Sequence, residues 1–160
     1  MSRYNYVTEV LKELGNDMGM GPLELDDTNR LSLVFDGVLV TLSYTTDPLE
    51  LLWIYVDLGE VPADNIHVSR EMLKLGFECW GQNVMTIGLD DDGNKAIGYS
   101  SIPVTVLELP VLREMLSRML QATFVVREHL AKAALGDDQA ETRQEAELEA
   151  AGNVDTHGYA

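Results

Sequence analysis

The chain has 160 residues, an apolar fraction of 46% and a formal net charge of −16. That length is one domain, large enough to bury most of the area its unfolded chain exposes. The acidity excludes nucleic acid as a natural partner, because a field of that sign repels phosphate backbones. Residues 1–135 hold twenty acids beside ten bases, and residues 137–160 hold seven acids and one base, Arg143.

The first element predicted is a helix over residues 4–18. Val7, Val10, Leu11, Leu14 and Met18 recur at helical spacing, with Thr8, Glu9, Lys12 and Glu13 on the opposite side. Gly15, Gly19, Gly21 and Pro22 then break it. The opening residues lack the basic start and apolar run of a signal peptide. No apolar stretch reaches membrane-spanning length. Cys79 is the single cysteine, so no internal disulfide can form. A soluble cytoplasmic protein is expected.

Two strands follow, at 30–35 and 38–45, joined by Asp36-Gly37. An Asp-Gly link between alternating apolar runs is a hairpin signal, because a type I′ turn needs positive φ at both central residues. Leu31, Leu33 and Phe35 share one face of the first strand, and Val38, Val40, Leu42 and Tyr44 one face of the second. A third strand, 50–57, is apolar on both faces, which predicts at least partial cover on each. Trp53 in its middle is assigned to the sheet core.

A helix from Asp64 to Leu75 comes next, stopped by Gly76, with Ile66, Ser69, Met72 and Leu73 as its buried stripe. Residues 77–82 form an apolar link. A strand at 83–89 has Met85, Ile87 and Leu89 on one face. The turn Asp91-Asp92-Gly93-Asn94 leads into a last strand at 95–101. A long helix runs from Pro110, a good first helical residue, to Leu135, with Gly136 as its terminator. Its stripe is Leu112, Met115, Leu116, Met119, Thr123, Val126 and Leu130. Residues 136–160 have little to bury and read as a disordered acidic tail behind a domain at 1–135. The fold class is α+β: an antiparallel twisted sheet of about five strands with an N-terminal, a short middle and a long C-terminal helix, in the order α-β-β-β-α-β-β-α.

Chemistry is sparse along this chain. His67, His129 and His157 have no metal-ligand spacing from one another, and Cys79 has no CxxC companion. His129 reads as a solvated helix residue and Cys79 as a structural thiol. There is no nucleophile elbow and no phosphate loop. Asp90 to Asn94 resembles part of a calcium loop, but placing Gly93 sixth puts Gly88 first and Tyr99 twelfth, where carboxylates are needed. No catalytic residue, metal or cofactor is expected, and the protein is not read as an enzyme.

Binding surface is the better reading. Met72, Leu75, Phe77, Trp80, Met85 and Ile87 crowd large apolar groups onto a short helix, a link and a strand. A twofold homodimer would cover them by pairing the patch with itself. Trp80, beside Phe77, suits an interface.

The order of elements, the segments Leu31 to Leu42, Leu51 to Pro62 and Met85 to Asn94, the long last helix and the acidity together resemble the class I chaperones of bacterial type III secretion, the Tir chaperone family. The resemblance covers residues 4–135. It implies a homodimer in the bacterial cytoplasm that binds the non-globular N-terminal region of a secreted effector and keeps it extended. It also implies delivery to a secretion apparatus that includes an ATPase. Carried onto this chain, the client-binding residues would be Val7, Leu11, Leu14, Leu33, Phe35, Leu39 and Tyr44. The dimer patch would be the second helix and the strand after it. The alternative is a dimeric regulatory or adaptor module acting on a folded partner.

Overall fold

A computed structural model describes residues 2–62 and 64–152. Helix α1 spans Arg3–Asp17, and the Ser2 side chain caps it by accepting from the Asn5 N–H. Strands β1 (Arg30–Phe35) and β2 (Val38–Thr45) meet at Asp36 and Gly37, whose φ values of 48° and 78° are those a type I′ turn requires. Strand β3 is Leu51–Glu60, helix α2 is Ile66–Gly81, and strands β4 and β5 are Thr86–Leu89 and Lys95–Pro103. A short 3-10 turn, Val104–Val106, leads into helix α3, Leu109–Gly152.

The sheet is antiparallel throughout, in the order β1-β2-β3-β5-β4. Consecutive strands pair through short turns, and α2 connects β3 to β4 across the neighbouring β5. A register shift between Asp57 and Gly59 bends β3 near its end. The β4–β5 turn is held by the Asp90 carboxylate, which accepts from the N–H groups of Asn94 and Lys95.

One face of the sheet is sealed. Val38, Val40 and Leu42 of β2, Leu52, Ile54, Val56 and Leu58 of β3 and Ile102 of β5 point into it. They join one apolar cluster with Val7, Val10, Leu11 and Leu14 of α1 and Leu112, Leu116, Met119, Val126 and Leu130 of α3. The stripe predicted for α3 is the buried one, with Met115 half-covered; the Thr123 hydroxyl donates to the Met119 carbonyl at 2.8 Å. Arg127 of α3 ties the helix to the sheet by donating to the Asp57 carbonyl at 2.7 Å.

Several expectations shift. Gly76 does not end α2, which continues to Gly81 and absorbs the predicted link. A glycine inside a helix costs only about 1 kcal/mol, and continuing buries Cys79 on the same side as Val68 and Leu75. That buried side is not the predicted stripe: Ile66 and Leu73 are exposed. Strand β4 is shorter than predicted, although Met85 before it is still buried. Gly136 does not end α3, which runs on to Gly152. The rest of the predicted tail, 153–160, lies outside the described residues. Trp53 is not in the core: its alternation with Leu52 and Ile54 sends it to the opposite, open face of the sheet. There it stacks on Tyr55 with centroids 6.2 Å apart, and Tyr99 joins the cluster.

Candidate protein-binding surfaces

Among the described residues, two open apolar surfaces are suited to a polypeptide partner. The first lies on α2. At 100° per residue, Val68, Leu75 and Cys79 fall on the covered side and Ile66, Leu73, Phe77 and Trp80 on the opposite one. Leu73, Phe77 and Trp80 are 72%, 73% and 66% exposed, and the last two rings lie 6.2 Å apart. Large apolar groups aligned along the solvent side of a helix mark an interaction surface. Of the residues expected at the dimer patch, Phe77 and Trp80 are open, and Met72 and Ile87 are half-buried. Leu75 and Met85 are sealed inside the protomer and offer a partner nothing. Ile66 and Leu73 join the patch instead; the period-3.6 pattern contains them, but the pattern alone does not say which side faces inward.

Beside this arc a shallow trough of about 380 Å³ runs between Trp80 and the aromatic cluster, walled by Trp53, Val84 and Tyr99. Asn83, Thr86, Ser100 and Ser101 also line this trough, which separates the α2 arc from the aromatic cluster on the open face of the sheet.

The second surface is the free edge of β1. In this strand Leu33 is covered and Leu31 and Phe35 are half-covered on the helix side. Val34 projects from the other side, 65% exposed, directly opposite Leu39 of β2, 43% exposed. The Tyr44 N–H donates to the Asn29 carbonyl at 3.0 Å. Antiparallel alternation from that bond turns the backbone N–H and C=O of Ser32 and Val34 away from β2, toward solvent. Beyond Arg30 the strand has no charge, proline or bulge to guard this edge.

Placement corrects much of the expected client set. Val7, Leu11 and Leu14 are fully covered, and Tyr44 is 6% exposed with its hydroxyl donating to Glu50. The stripe of α1 is spent on its own core, because α1 shows solvent only polar residues along its middle. These side chains support the surface from beneath. Leu39 and part of Phe35 are accessible, and Val34 was missed because it lies out of phase with the apolar face of its strand.

Burial raises the Cys79 thiol above its ordinary pKa, with help from Glu78. His129 Nδ1 lies 3.0 Å from Glu71 Oε1, a contact that pins α3 to α2. Among the described residues no group of three His, Cys, Asp or Glu is placed to hold a metal ion. No described helix is long and apolar enough to cross a membrane.

The model of the Tir chaperone protein (CesT) family matches residues 9–125, from the second turn of α1 into α3. The chain belongs to this family. Its Tir chaperone fold is similar to that in the crystal structure of the ExsC-ExsE complex, with TM-score 0.72 and 24% identity over 81% of this chain and 97% of that one. The HopA1-SchA chaperone-effector complex gives TM-score 0.67 and 24% identity, covering 80% and 97%. The heterodimeric ExoU-SpcU complex from the type III secretion system of Pseudomonas aeruginosa gives 0.59 and 15%, covering 74% and 96%. No curated protein sequence matches the chain. The part of α3 beyond residue 125 lies outside the family match.

Proposed function

We propose that this Tir chaperone acts in the bacterial cytoplasm as a homodimer, binding the non-globular N-terminal region of a type III secreted effector and holding it extended until export. The observation that carries the reading is the pair of open surfaces on a member of this family. The α2 arc suits self-pairing: a twofold axis would set Leu73, Phe77 and Trp80 of one protomer on the same patch of its partner. The β1 edge and the Val34–Leu39 pair suit an extended polypeptide, which gains backbone hydrogen bonds from the edge and anchors from the side chains.

The energetics support a binding role over a chemical one. A disordered client loses chain entropy on docking, so affinity has to be gathered from many contacts along a track. Open shallow surfaces supply such a track. The charge of −16 keeps the loaded complex soluble and repels nucleic acid. No catalytic step is assigned, and handing the client to the secretion ATPase is part of the same proposal.

Co-expression with the N-terminal segment of a secreted effector, followed by light scattering on the purified species, tests the reading. Two chaperone chains per client, with the client open to protease once released, is the expected result. A strict monomer that captures no extended polypeptide would overturn it.

A further inference from the structure

The charge around the β1 edge selects among extended clients. Asp26 closes one end of that edge. Its N–H donates to the Arg30 carbonyl at 2.7 Å, and its carboxylate accepts from the Arg30 N–H at 2.9 Å. Both edge-facing backbone groups of Arg30 are thus taken, and only Ser32 and Val34 are left to pair with a newcomer. A strand that docks there is short, about five residues.

Both ends of this short edge are acidic. Glu24, Asp26 and Asp27 precede β1, and Asp36 follows it at the hairpin; Arg30 is the single base between residues 22 and 37. The Asp26 carboxylate is held ionised by the Thr28 hydroxyl and by the N–H groups of Arg30 and Thr28. A second copy of this chain is a poor occupant. Antiparallel pairing of two β1 edges would set the acids at each end against those of the partner, in a molecule already at −16. An occupant of opposite sign has no such penalty.

We infer that the β1 edge takes a short extended client segment, apolar at alternate positions and bounded by Lys or Arg on both sides. This deepens the client-binding reading and rests on it. The alternate apolar side chains would lie on the open face beside Val34, and the flanking cations would meet Asp27 at one end and Asp36 at the other. The same arrangement rejects acidic segments, including the chaperone's own residues 137–160.

Fluorescence anisotropy on the full chain tests this with two labelled peptides. Both carry an alternating valine–threonine core of five residues; one has a lysine pair at each end, the other a glutamate pair. The lysine peptide should bind at least about tenfold more tightly, the weak exposed ion pairs with Asp27 and Asp36 being replaced by repulsions, and the gap should shrink in high salt. Asp27→Asn with Asp36→Asn should narrow it to under about threefold by removing those pairs; asparagine tolerates the positive φ of 48° at position 36. Val34→Pro should abolish binding of the lysine peptide, since it removes an edge N–H that the folded chain does not use. Slower hydrogen exchange at the Ser32 and Val34 amides on adding the lysine peptide provides the same readout without a substitution. Equal binding of both peptides, binding of neither, or lysine-peptide binding that Val34→Pro leaves intact overturns the inference. An effector segment captured normally by the Val34→Pro protein would sink the edge and spare the chaperone reading. A lysine peptide bound as described, beside failure to capture any effector segment, would do the reverse.

Discussion

A methyl group built on Gly15 would lie 2.0 Å from the carbonyl oxygen of Gly21. The last turn of α1 and the loop that leaves it are in backbone contact there, and the loop continues to Leu23, whose Cγ would sit 2.7 Å from the same methyl. No side-chain rotation relieves a clash with backbone. Gly15→Ala should therefore destabilise the protein by about 2–3 kcal/mol, lowering Tm by several degrees. Gly76 is also helical, but an added methyl meets only the Ile87 Cβ, at an ordinary 3.7 Å. Gly76→Ala should stabilise by about 0.5 kcal/mol, through the reduced freedom of the unfolded chain. Opposite signs for these two substitutions in a denaturant melt are the expected result.

Leu11 and Leu39 were both candidates to touch a client, and the structure separates them. Leu11→Ala removes a fully covered side chain and should cost about 3 kcal/mol of stability. Leu39→Ala acts on a side chain 43% exposed and should change stability by less than about 0.5 kcal/mol. Client affinity should fall with Leu39→Ala. For Leu11→Ala the fraction that stays folded should bind as well as the parent protein does.

The outward arc of α2 predicts the oligomeric state. Phe77→Glu puts a charge in the middle of a patch that self-pairing would bury, and twofold symmetry puts in two. Sedimentation should show a dimer for the parent chain and a monomer for the variant, with circular dichroism unchanged, because Phe77 is 73% exposed in the protomer. Cys79, two positions on, faces the other side of the helix and should stay slow to alkylate in both forms, its thiol raised by burial.

Asp26 predicts a local response to acid. The Thr28 hydroxyl, and then the Arg30 N–H, hold its carboxyl below the usual aspartate pKa. A folded-state pKa that lies below the unfolded one gives a contribution that is complete above the unfolded value and is lost as pH falls through the folded value. The loop before β1 should accordingly be indifferent to pH near neutrality and loosen only in strong acid. Carboxyl-carbon NMR should place the Asp26 midpoint below that of an ordinary aspartate, and Thr28→Val should raise it.

Much of the fold was legible because it is written in short-range terms. The bounds of β1 and β2 follow from period-2 alternation on both sides of Asp36-Gly37, and the turn chemistry fixes their register. The stripe of α3 can be read off because apolar residues occupy one side of it from Leu112 to Leu130. Helix ends were less legible: Gly76 and Gly136 carry the signature of a stop, yet a glycine only weakens a helix. Where further turns bury Cys79, packing outweighs that cost.

The sequence by itself determined which residues are apolar, at what period, and where the chain must turn; these depend on a few neighbouring residues. It left undecided which apolar side each element would bury. Helix α2 has two such sides, Val68–Leu75–Cys79 and Leu73–Phe77–Trp80, and only packing against α3 and β4 decided between them. The same holds for α1, whose stripe could pack on the sheet or dock a partner and is in fact taken by the core, and for Val34, exposed because Leu33 took the inward place. Burial is a contest among distant segments for one core, and the surface that remains for partners is whatever that contest leaves outside.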